Sequence, residues 1–189
     1  MAGKAKDSDL AVRAMAGDQD AFAGLVDLHH AAIYRMALRI TGSRQDAEDL
    51  TQETFLRVHA RFGSYDPARP FEKWLYAVGL NAVRDHLKFR RRTRLPDPAP
   101  LEPEADPEEP DQALARSQDR DQMAQLLLQL PLVLREAVVM RYYLDLSFAE
   151  IAQAVDISLS SAKMRVYRGL DHLRRLMGAS QSQANGAGG

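Results

Sequence analysis

The chain carries a cluster of hydroxyl, cationic and aromatic side chains between residues 160 and 168. Apolar residues at helical spacing, from Ala162 to Met177, predict a helix with one face toward a core. Ser158 is a suitable N-terminal cap for this helix. The side chains off the apolar stripe are Ser160, Ser161, Lys163, Met164, Tyr167 and Arg168. Long cations and hydroxyl groups on one helix face can contact phosphates and base edges in a DNA major groove.

A second short helix is predicted immediately before this one. The apolar residues of 148–155 recur at i, i+3, i+4 and i+7, and residues 156–158 interrupt the pattern. Two short amphipathic helices joined by a tight turn form a helix-turn-helix. Helical patterns at 123–130 and after Pro131 complete a small C-terminal domain. The pattern predicts DNA binding; an ordinary helical hairpin with solvated Lys and Arg side chains is the alternative.

The N-terminal half also has apolar residues at helical spacing. Four helices are predicted within residues 8–94, separated at Gly17, at Gly42 and by the turn-rich loop 63–70. The only tryptophan, Trp74, lies on the apolar face of the fourth helix and is predicted to belong to the core. Together with the C-terminal domain, this predicts an all-α protein of two small helical domains.

Basic residues are concentrated at the end of the N-terminal half. Residues 57–94 hold ten Lys or Arg and three acidic side chains, a formal charge of +7. The adjoining loop contributes Phe62 and Tyr65. A basic helix end beside aromatic side chains suits a polyanion that carries exposed bases. A nonspecific basic tail is the alternative interpretation.

The two halves are separated by a segment of opposite character. Residues 96–110 contain six prolines and six acidic residues but no basic residue. Such a composition cannot bury a core, so we expect residues 95–119 to form an extended linker. Residues 178–189 are rich in Gly, Ser, Gln and Asn and are predicted to be a disordered tail.

The composition of the whole chain excludes several classes of function. The chain has 189 residues, a formal net charge of −1 and no cysteine, which excludes disulfides, thiol catalysis and thiolate metal sites. No nucleophile–base pair, phosphate-binding loop or metal-ligand spacing emerges, so neither an enzyme nor a metal or cofactor site is predicted. The sequence shows no signal peptide and no membrane-spanning segment. We therefore expect a soluble cytoplasmic protein.

Three segments resemble those of the extracytoplasmic-function (ECF) sigma factors, the small two-domain specificity subunits of bacterial RNA polymerase. These segments are Asp46–Arg57, Phe71–Asp85 with the basic residues after it, and Leu130–Val138. They follow one another in the family's order. The resemblance covers residues 8–94 and 120–176, and it implies a protein that is not an enzyme.

The resemblance also implies how the function is divided along the chain. Residues 1–94 would bind core polymerase and the −10 element, residues 95–119 would be the linker, and residues 120–177 would bind the −35 element, followed by the tail 178–189. In this family one DNA strand is opened and a base is captured from the stack in a loop pocket. The implied partners are core RNA polymerase, promoter DNA and, often, an anti-sigma factor.

Individual site residues follow from the same resemblance. The polymerase-binding side chains would be Asp46, Asp49, Gln52 and Glu53, on the polar face of the predicted third helix. The −10 element would be recognised by Arg61, Phe62, Ser64, Tyr65, Asn81, Arg84, Asp85 and Lys88. The −35 element would be contacted by Ser161, Lys163, Met164, Arg165, Tyr167 and Arg168.

Two departures from the family limit what the resemblance implies. Residues 158–161 stand where many relatives have a proline or glycine in the turn, and Met164 takes a place often held by a small polar residue. The promoter sequence is therefore not predicted. The alternative function is a free-standing helix-turn-helix regulator whose N-terminal helices dimerise or sense a ligand.

Overall fold

The structure, a computed structural model, describes residues 2–93 and 122–186, with side chains described for residues 7–93 and 122–178. All regular secondary structure within these ranges is helical, which confirms the predicted all-α class. The helices form two compact units, unit 1 within residues 1–97 and unit 2 within residues 98–189. The predicted linker at 95–119 lies outside the described residues.

Unit 1 contains four helices whose ends follow local capping rules. They are α1 (Ala2–Met15), α2 (Gln19–Thr41), α3 (Arg44–Arg61) and α4 (Phe71–Thr93), with a short 3-10 turn at Phe62–Ser64. The side chains of Asp18 and Ser43 each accept a backbone hydrogen bond in the first turn of α2 and α3, respectively. Gly17 and Gly42 have φ of 93° and 72°, which confirms the two predicted breaks.

The core of unit 1 lies between the apolar faces of α2, α3 and α4. Its largest fully buried side chains include Leu25, Ile33, Met36, Ile40, Val58, Phe71, Leu75 and Leu80. Gly79 marks a close approach of α4, since a Cβ there would lie 2.8 Å from Met36 Cε and 3.3 Å from Thr54 Cγ2. This packing holds α3 and α4 side by side, so the positions of their polar faces relative to each other are set by the core.

Unit 2 contains the predicted helix-turn-helix. Residues 122–128 are helical (α5), and α6 (Leu132–Tyr142), α7 (Phe148–Ala154) and α8 (Leu159–Gly186) follow. Its core includes Leu126, Leu127, Leu130, Val138 and Leu173. α6 packs against α8, and α7 packs against both.

The turn between α7 and α8 depends on one residue in a left-handed conformation and on one cap. Asp156 has φ of 51°, a value that Asp tolerates better than most residues with a side chain. Ser158 Oγ then accepts a hydrogen bond of 3.2 Å from the Ser161 amide, which confirms the predicted cap of α8. The cap therefore fixes where α8 begins.

α8 extends beyond the predicted end of the C-terminal domain. Its backbone is helical as far as Gly186, whereas a disordered tail is predicted from residue 178. The physical reason for this difference is that residues 179–185 contain no proline or glycine and include Ala and Gln, which favour helices.

Candidate functional site

Asp46, the first residue of the predicted polymerase-binding set, is buried. Only 8% of its surface is exposed. Its Oδ2 accepts a hydrogen bond of 2.8 Å from Arg90 Nη1, and His86 Nε2 lies 3.3 Å from its Oδ1. The last turns of α4 pass the first turn of α3, which brings Arg90 and His86 to the carboxylate. The prediction that Asp46 lies on an exposed polar face is therefore wrong, and its ion pair instead fastens α3 to α4.

The other three residues of the set lie on the outer side of α3. Asp49 and Gln52 are exposed, and Glu53 is partly exposed. Leu56 continues the same helical row at i, i+3, i+4 and i+7, with 66% of its surface exposed, more than any other large apolar side chain that the structure describes. We name Asp49, Gln52, Glu53 and Leu56 the α3 face.

Leu56 is a candidate functional residue that the sequence interpretation missed. The signal was present, because Leu56 falls off the apolar stripe of α3 and in register with the three polar residues. With two thirds of its surface exposed, Leu56 contributes little to the core of unit 1. A face that combines acidic side chains with an exposed apolar one is typical of a surface that binds another protein.

Arg57 joins the α3 face to α4. Its Nε donates a hydrogen bond of 2.7 Å to Glu53 Oε1, and its Nη1 donates one of 2.7 Å to Asp85 Oδ2. These bonds to Glu53 and Asp85 raise the pKa of the Arg57 guanidinium above its usual value, so it stays charged. One side chain therefore connects a predicted polymerase contact with a predicted −10 contact.

Four predicted −10 residues lie along one side of α4. Asn81, Asp85 and Lys88 are exposed and Arg84 is partly buried, and they occupy positions i, i+3, i+4 and i+7 of the helix. We name these four residues the α4 face. Lys88 is followed by the exposed Arg91 and Arg92 at the end of the helix, so the positive charge grows toward its C-terminus.

The two aromatic residues predicted to meet exposed bases are buried instead. Phe62 and Tyr65 expose 7% and 4% of their surface. The Phe62 ring stacks on Phe71 at 5.7 Å between ring centroids, and the Tyr65 ring centroid lies 5.3 Å from that of Trp74. The loop folds back onto the start of α4 because this removes the rings of Phe62, Tyr65 and Phe71, and part of the Trp74 ring, from water.

The loop thus presents polar groups rather than rings. Arg61 and Ser64 are exposed, as a DNA-contacting role requires, and Ser64 Oγ donates a hydrogen bond of 2.8 Å to Arg61 O. Tyr65 Oη donates one of 2.7 Å to Arg69 O, and burial raises the pKa of the Tyr65 hydroxyl, so this hydroxyl keeps its proton. Phe62 and Tyr65 shape the loop, and Trp74 joins their cluster as a partly buried residue.

The polar face of α8 has the exposure that its sequence predicts. Lys163, Met164, Tyr167 and Arg168 are exposed, and we name these four residues the α8 face. Ser161 and Arg165, also predicted to contact the −35 element, are partly buried, and Ser161 Oγ lies 2.8 Å from Ser158 Oγ.

The first residue of α7 supports this face. The Phe148 ring centroid lies 5.9 Å from the Tyr167 ring centroid and 6.0 Å from Lys163 Nζ. Arg141, on α6, also packs against this ring, with its Cζ 5.5 Å from the centroid. A cation over an aromatic face gains about 0.5–1 kcal/mol at an exposed site. Phe148 therefore packs beside two members of the α8 face, a contact that helical periodicity alone does not reveal.

Among the described side chains, no group of three or more His, Cys, Asp and Glu residues could hold a metal ion. None of the helices in the same part of the chain has both the length and the apolar character that a membrane span requires.

Comparison with known proteins identifies the family. The family model for Sigma-70 region 2 matches residues 25–93, which include the α3 and α4 faces, and that for Sigma-70, region 4 matches residues 120–173, which include the α8 face. The ECF RNA polymerase sigma factor SigW of Bacillus subtilis (strain 168) is 32% identical over 168 residues, 84% of this chain and 90% of SigW. The RNA polymerase sigma factor CnrH of Cupriavidus metallidurans is 30% identical over 185 residues, 94% of this chain and 97% of CnrH.

Solved structures agree with the sequence comparison. The structure of CnrH in complex with the cytosolic domain of CnrY has a TM-score of 0.68 at 30% identity, and the match covers 92% of this chain and 98% of CnrH. The sigma factor RpoE from Bartonella quintana, solved with the anti-sigma factor NepR, has a TM-score of 0.66 at 21% identity and supports the fold alone. The chain belongs to the ECF family of RNA polymerase sigma factors.

Proposed function

We infer that the chain is a sigma factor that brings core RNA polymerase to promoters and helps to open them. The observation that carries this inference is the presence, in one chain and in this order, of sigma-70 regions 2 and 4. A free-standing regulator would need no polymerase-binding region, so this alternative is not supported. Because the polymerase forms the phosphodiester bonds, we propose that the chain has no catalytic activity of its own. It would act in the cytoplasm, where polymerase and chromosome meet.

We propose that unit 1 binds core polymerase through the α3 face. Asp49, Gln52 and Glu53 supply charge and hydrogen-bonding groups, and Leu56 adds an apolar side chain at the end of the same row. Interfaces of this kind commonly combine a desolvated apolar centre with a polar rim. The complementary surface on the polymerase would carry basic residues around an apolar pocket.

We propose that the α4 face, with Arg61 and Ser64 of the loop, recognises the −10 element. These side chains are exposed or partly exposed, and the cations around them suit a DNA backbone. Extrusion of a base costs a few kcal/mol, which contacts to its edge and face can offset. The Arg57 bridge would hold Asp85 in place while the strands separate.

The −35 element would be bound by unit 2 through the α8 face. Lys163 and Arg168 would contact phosphates or guanine edges, and Met164 and Tyr167 would provide apolar contacts to bases in the major groove. We propose residues 1–94 and 120–177 as the two functional domains. The linker at 95–119 would let both reach one promoter.

An anti-sigma factor is a further proposed partner. CnrH, which is 30% identical to this chain, was solved in complex with the cytosolic domain of CnrY. A protein that covers the α3 face would prevent binding to core polymerase. Competition between such a protein and core for this chain is the expected consequence.

The central test is transcription with purified components. Core polymerase with the chain added should give run-off transcripts from a promoter selected from random-sequence DNA with this holoenzyme, and core alone should not. Binding to core is measured separately at low salt. If the wild-type chain does not bind core under these conditions, the proposed function is wrong.

We expect Lys163→Ala and Arg168→Ala each to weaken holoenzyme binding to the −35 element by about fivefold or more, because each change removes a contact worth about 1 kcal/mol or more. A gel-shift titration over a range of salt concentrations provides the measurement. Loss of a residue that contacts phosphate should also reduce, by about one, the steepness with which log affinity falls with log salt concentration. The matched control is Arg175→Ala, which changes another exposed cation of α8 that pairs with Asp171. If all three variants bind alike, Lys163 and Arg168 are not contacts.

For Asn81→Ala, we expect slower promoter opening with unchanged binding to core polymerase. Asn81 is exposed on α4, so its loss should leave the core of unit 1 intact. Opening is followed by the fluorescence of 2-aminopurine placed in the −10 element, and core affinity is measured in parallel. A loss of core affinity in this variant would contradict the assignment of Asn81 to DNA.

A further inference from the structure

Phe89 is an exposed aromatic residue on the basic end of α4. It exposes 59% of its surface, whereas the other Phe, Tyr and Trp residues between 7 and 93 are buried or partly buried. The aromatic rings nearest to the loop, those of Phe62, Tyr65, Phe71 and Trp74, pack against one another. If a ring of unit 1 contacts a base, Phe89 is the one placed to do so.

The position of Phe89 continues the α4 face. It lies four residues after Asp85 and eight after Asn81, so the three side chains share one side of the helix. At about 1.5 Å per residue, eight residues span about 12 Å. Bases stacked about 3.4 Å apart cover this distance in three to four nucleotides. Phe89 can thus reach the same DNA strand as Asn81, a few nucleotides away.

The charges around Phe89 favour DNA as the occupant of this surface. Arg92 is exposed three residues after Phe89, on the same side of the helix, and the exposed Lys88 directly precedes Phe89. Arg90 is bound to the buried Asp46. A basic surface attracts the phosphate backbone, and an aromatic ring among such cations can stack on an unpaired base. The acidic and apolar α3 face has the opposite character and suits a protein.

We propose that Phe89 stacks on an unpaired base of the opened promoter, three to four nucleotides from the base contacted by Asn81. This inference rests on the proposed function of α4. It adds a contact that depends on the shape of the base and tolerates several base identities, because every base has an aromatic face. The contact forms only when the strand is open, so it favours the open complex over the closed one.

The test compares holoenzymes that carry Phe89→Leu, Phe89→Tyr and Val12→Ala. Leucine keeps an apolar side chain without a ring, tyrosine keeps the ring, and Val12 is an exposed apolar residue of α1 outside the proposed interfaces. The probe is a fork-junction DNA of a promoter selected with the wild-type holoenzyme, with its −10 strand unpaired. We expect binding to weaken about tenfold for Phe89→Leu. The affinity of Phe89→Tyr should stay within about twofold of wild type because tyrosine keeps the ring. The affinity of Val12→Ala should stay within the same range because Val12 lies outside the proposed interfaces.

The contacted base is located by replacing single nucleotides of the unpaired strand with abasic ones. One position should lie three to four nucleotides from the one sensitive to Asn81→Ala. An abasic nucleotide there should weaken DNA binding by the wild-type holoenzyme but should not further weaken binding by the Phe89→Leu holoenzyme. The proposal is overturned if no position shows this coupling, if Phe89→Leu binds the fork as wild type does, or if it instead lowers affinity for core polymerase, which would indicate a protein contact. Failure of the wild-type holoenzyme to bind any promoter would refute the proposed function itself, a separate outcome.

Discussion

Replacing Leu56 with aspartate is expected to weaken binding of the chain to core RNA polymerase by about 30-fold or more. Loss of an apolar side chain that an interface buries fully can cost about 2 kcal/mol, and about 1.4 kcal/mol corresponds to tenfold in affinity. Aspartate would add a charge without a partner beside Glu53, in a surface that binding removes from water. Both effects act in the same direction.

This result is measured by titrating fluorescently labelled chain with core polymerase. The matched control is Leu28→Asp, which places the same charge on an exposed leucine of α2 outside the proposed interfaces. Neither side chain belongs to the buried core, so both variants should unfold at the wild-type denaturant concentration. If Leu56→Asp and Leu28→Asp bind core with equal affinity, Leu56 is not part of the interface.

Gly169→Ala is expected to destabilise unit 2 by about 1–3 kcal/mol, in the range of other overpacked cores. A Cβ on Gly169 would lie 2.5 Å from Val138 Cγ2 and 3.3 Å from the Leu134 carbonyl oxygen, where α8 crosses α6. Elsewhere in a helix, exchanging glycine for alanine stabilises by about 1 kcal/mol, so a loss of stability here is diagnostic of the close helix contact. Because α6 positions α8, promoter binding through the −35 element should fall as well.

The chain offers a matched control and a separate probe for each unit. Gly178→Ala lies on the same helix at a site where a Cβ meets nothing within 4 Å, so it should be neutral or stabilising. Circular dichroism reports unfolding of both units, whereas fluorescence of the single tryptophan, Trp74, reports unit 1. Gly169→Ala should shift only the unfolding of unit 2. Combining it with Val138→Ala should cost less than the sum of the two single changes, and strict additivity would refute the clash.

Much of the fold could be predicted from the sequence because its determinants are local. The ends of α2 and α3 depend on residues within one turn of the break, namely Asp18, Gly42 and Ser43. The outward face of α8 follows from an apolar stripe on the same helix. These features need no knowledge of distant contacts, and the all-α class and the predicted exposure of Lys163 and Arg168 were therefore confirmed.

The burial of individual polar and aromatic residues needed the tertiary structure. Asp46 is buried because Arg90, 44 residues later, reaches its carboxylate. Asp85 is held by Arg57 across 28 residues, and Phe62 is covered by the start of α4 rather than exposed to bases. Helical spacing states which residues share a face of one helix, but it does not state which neighbouring helix covers that face.

The sequence by itself therefore determined the helices, the family resemblance and the polar face of α8. The packing of α3 against α4 decided which members of the predicted sites meet solvent. In the folded unit 1, Asp46, Phe62 and Tyr65 are buried, whereas Leu56 and Phe89 are exposed. The physical reason is that the exposure of a side chain depends on which neighbouring element covers it. That element is fixed by ion pairs and ring packing between residues far apart in the sequence, which a local pattern does not contain.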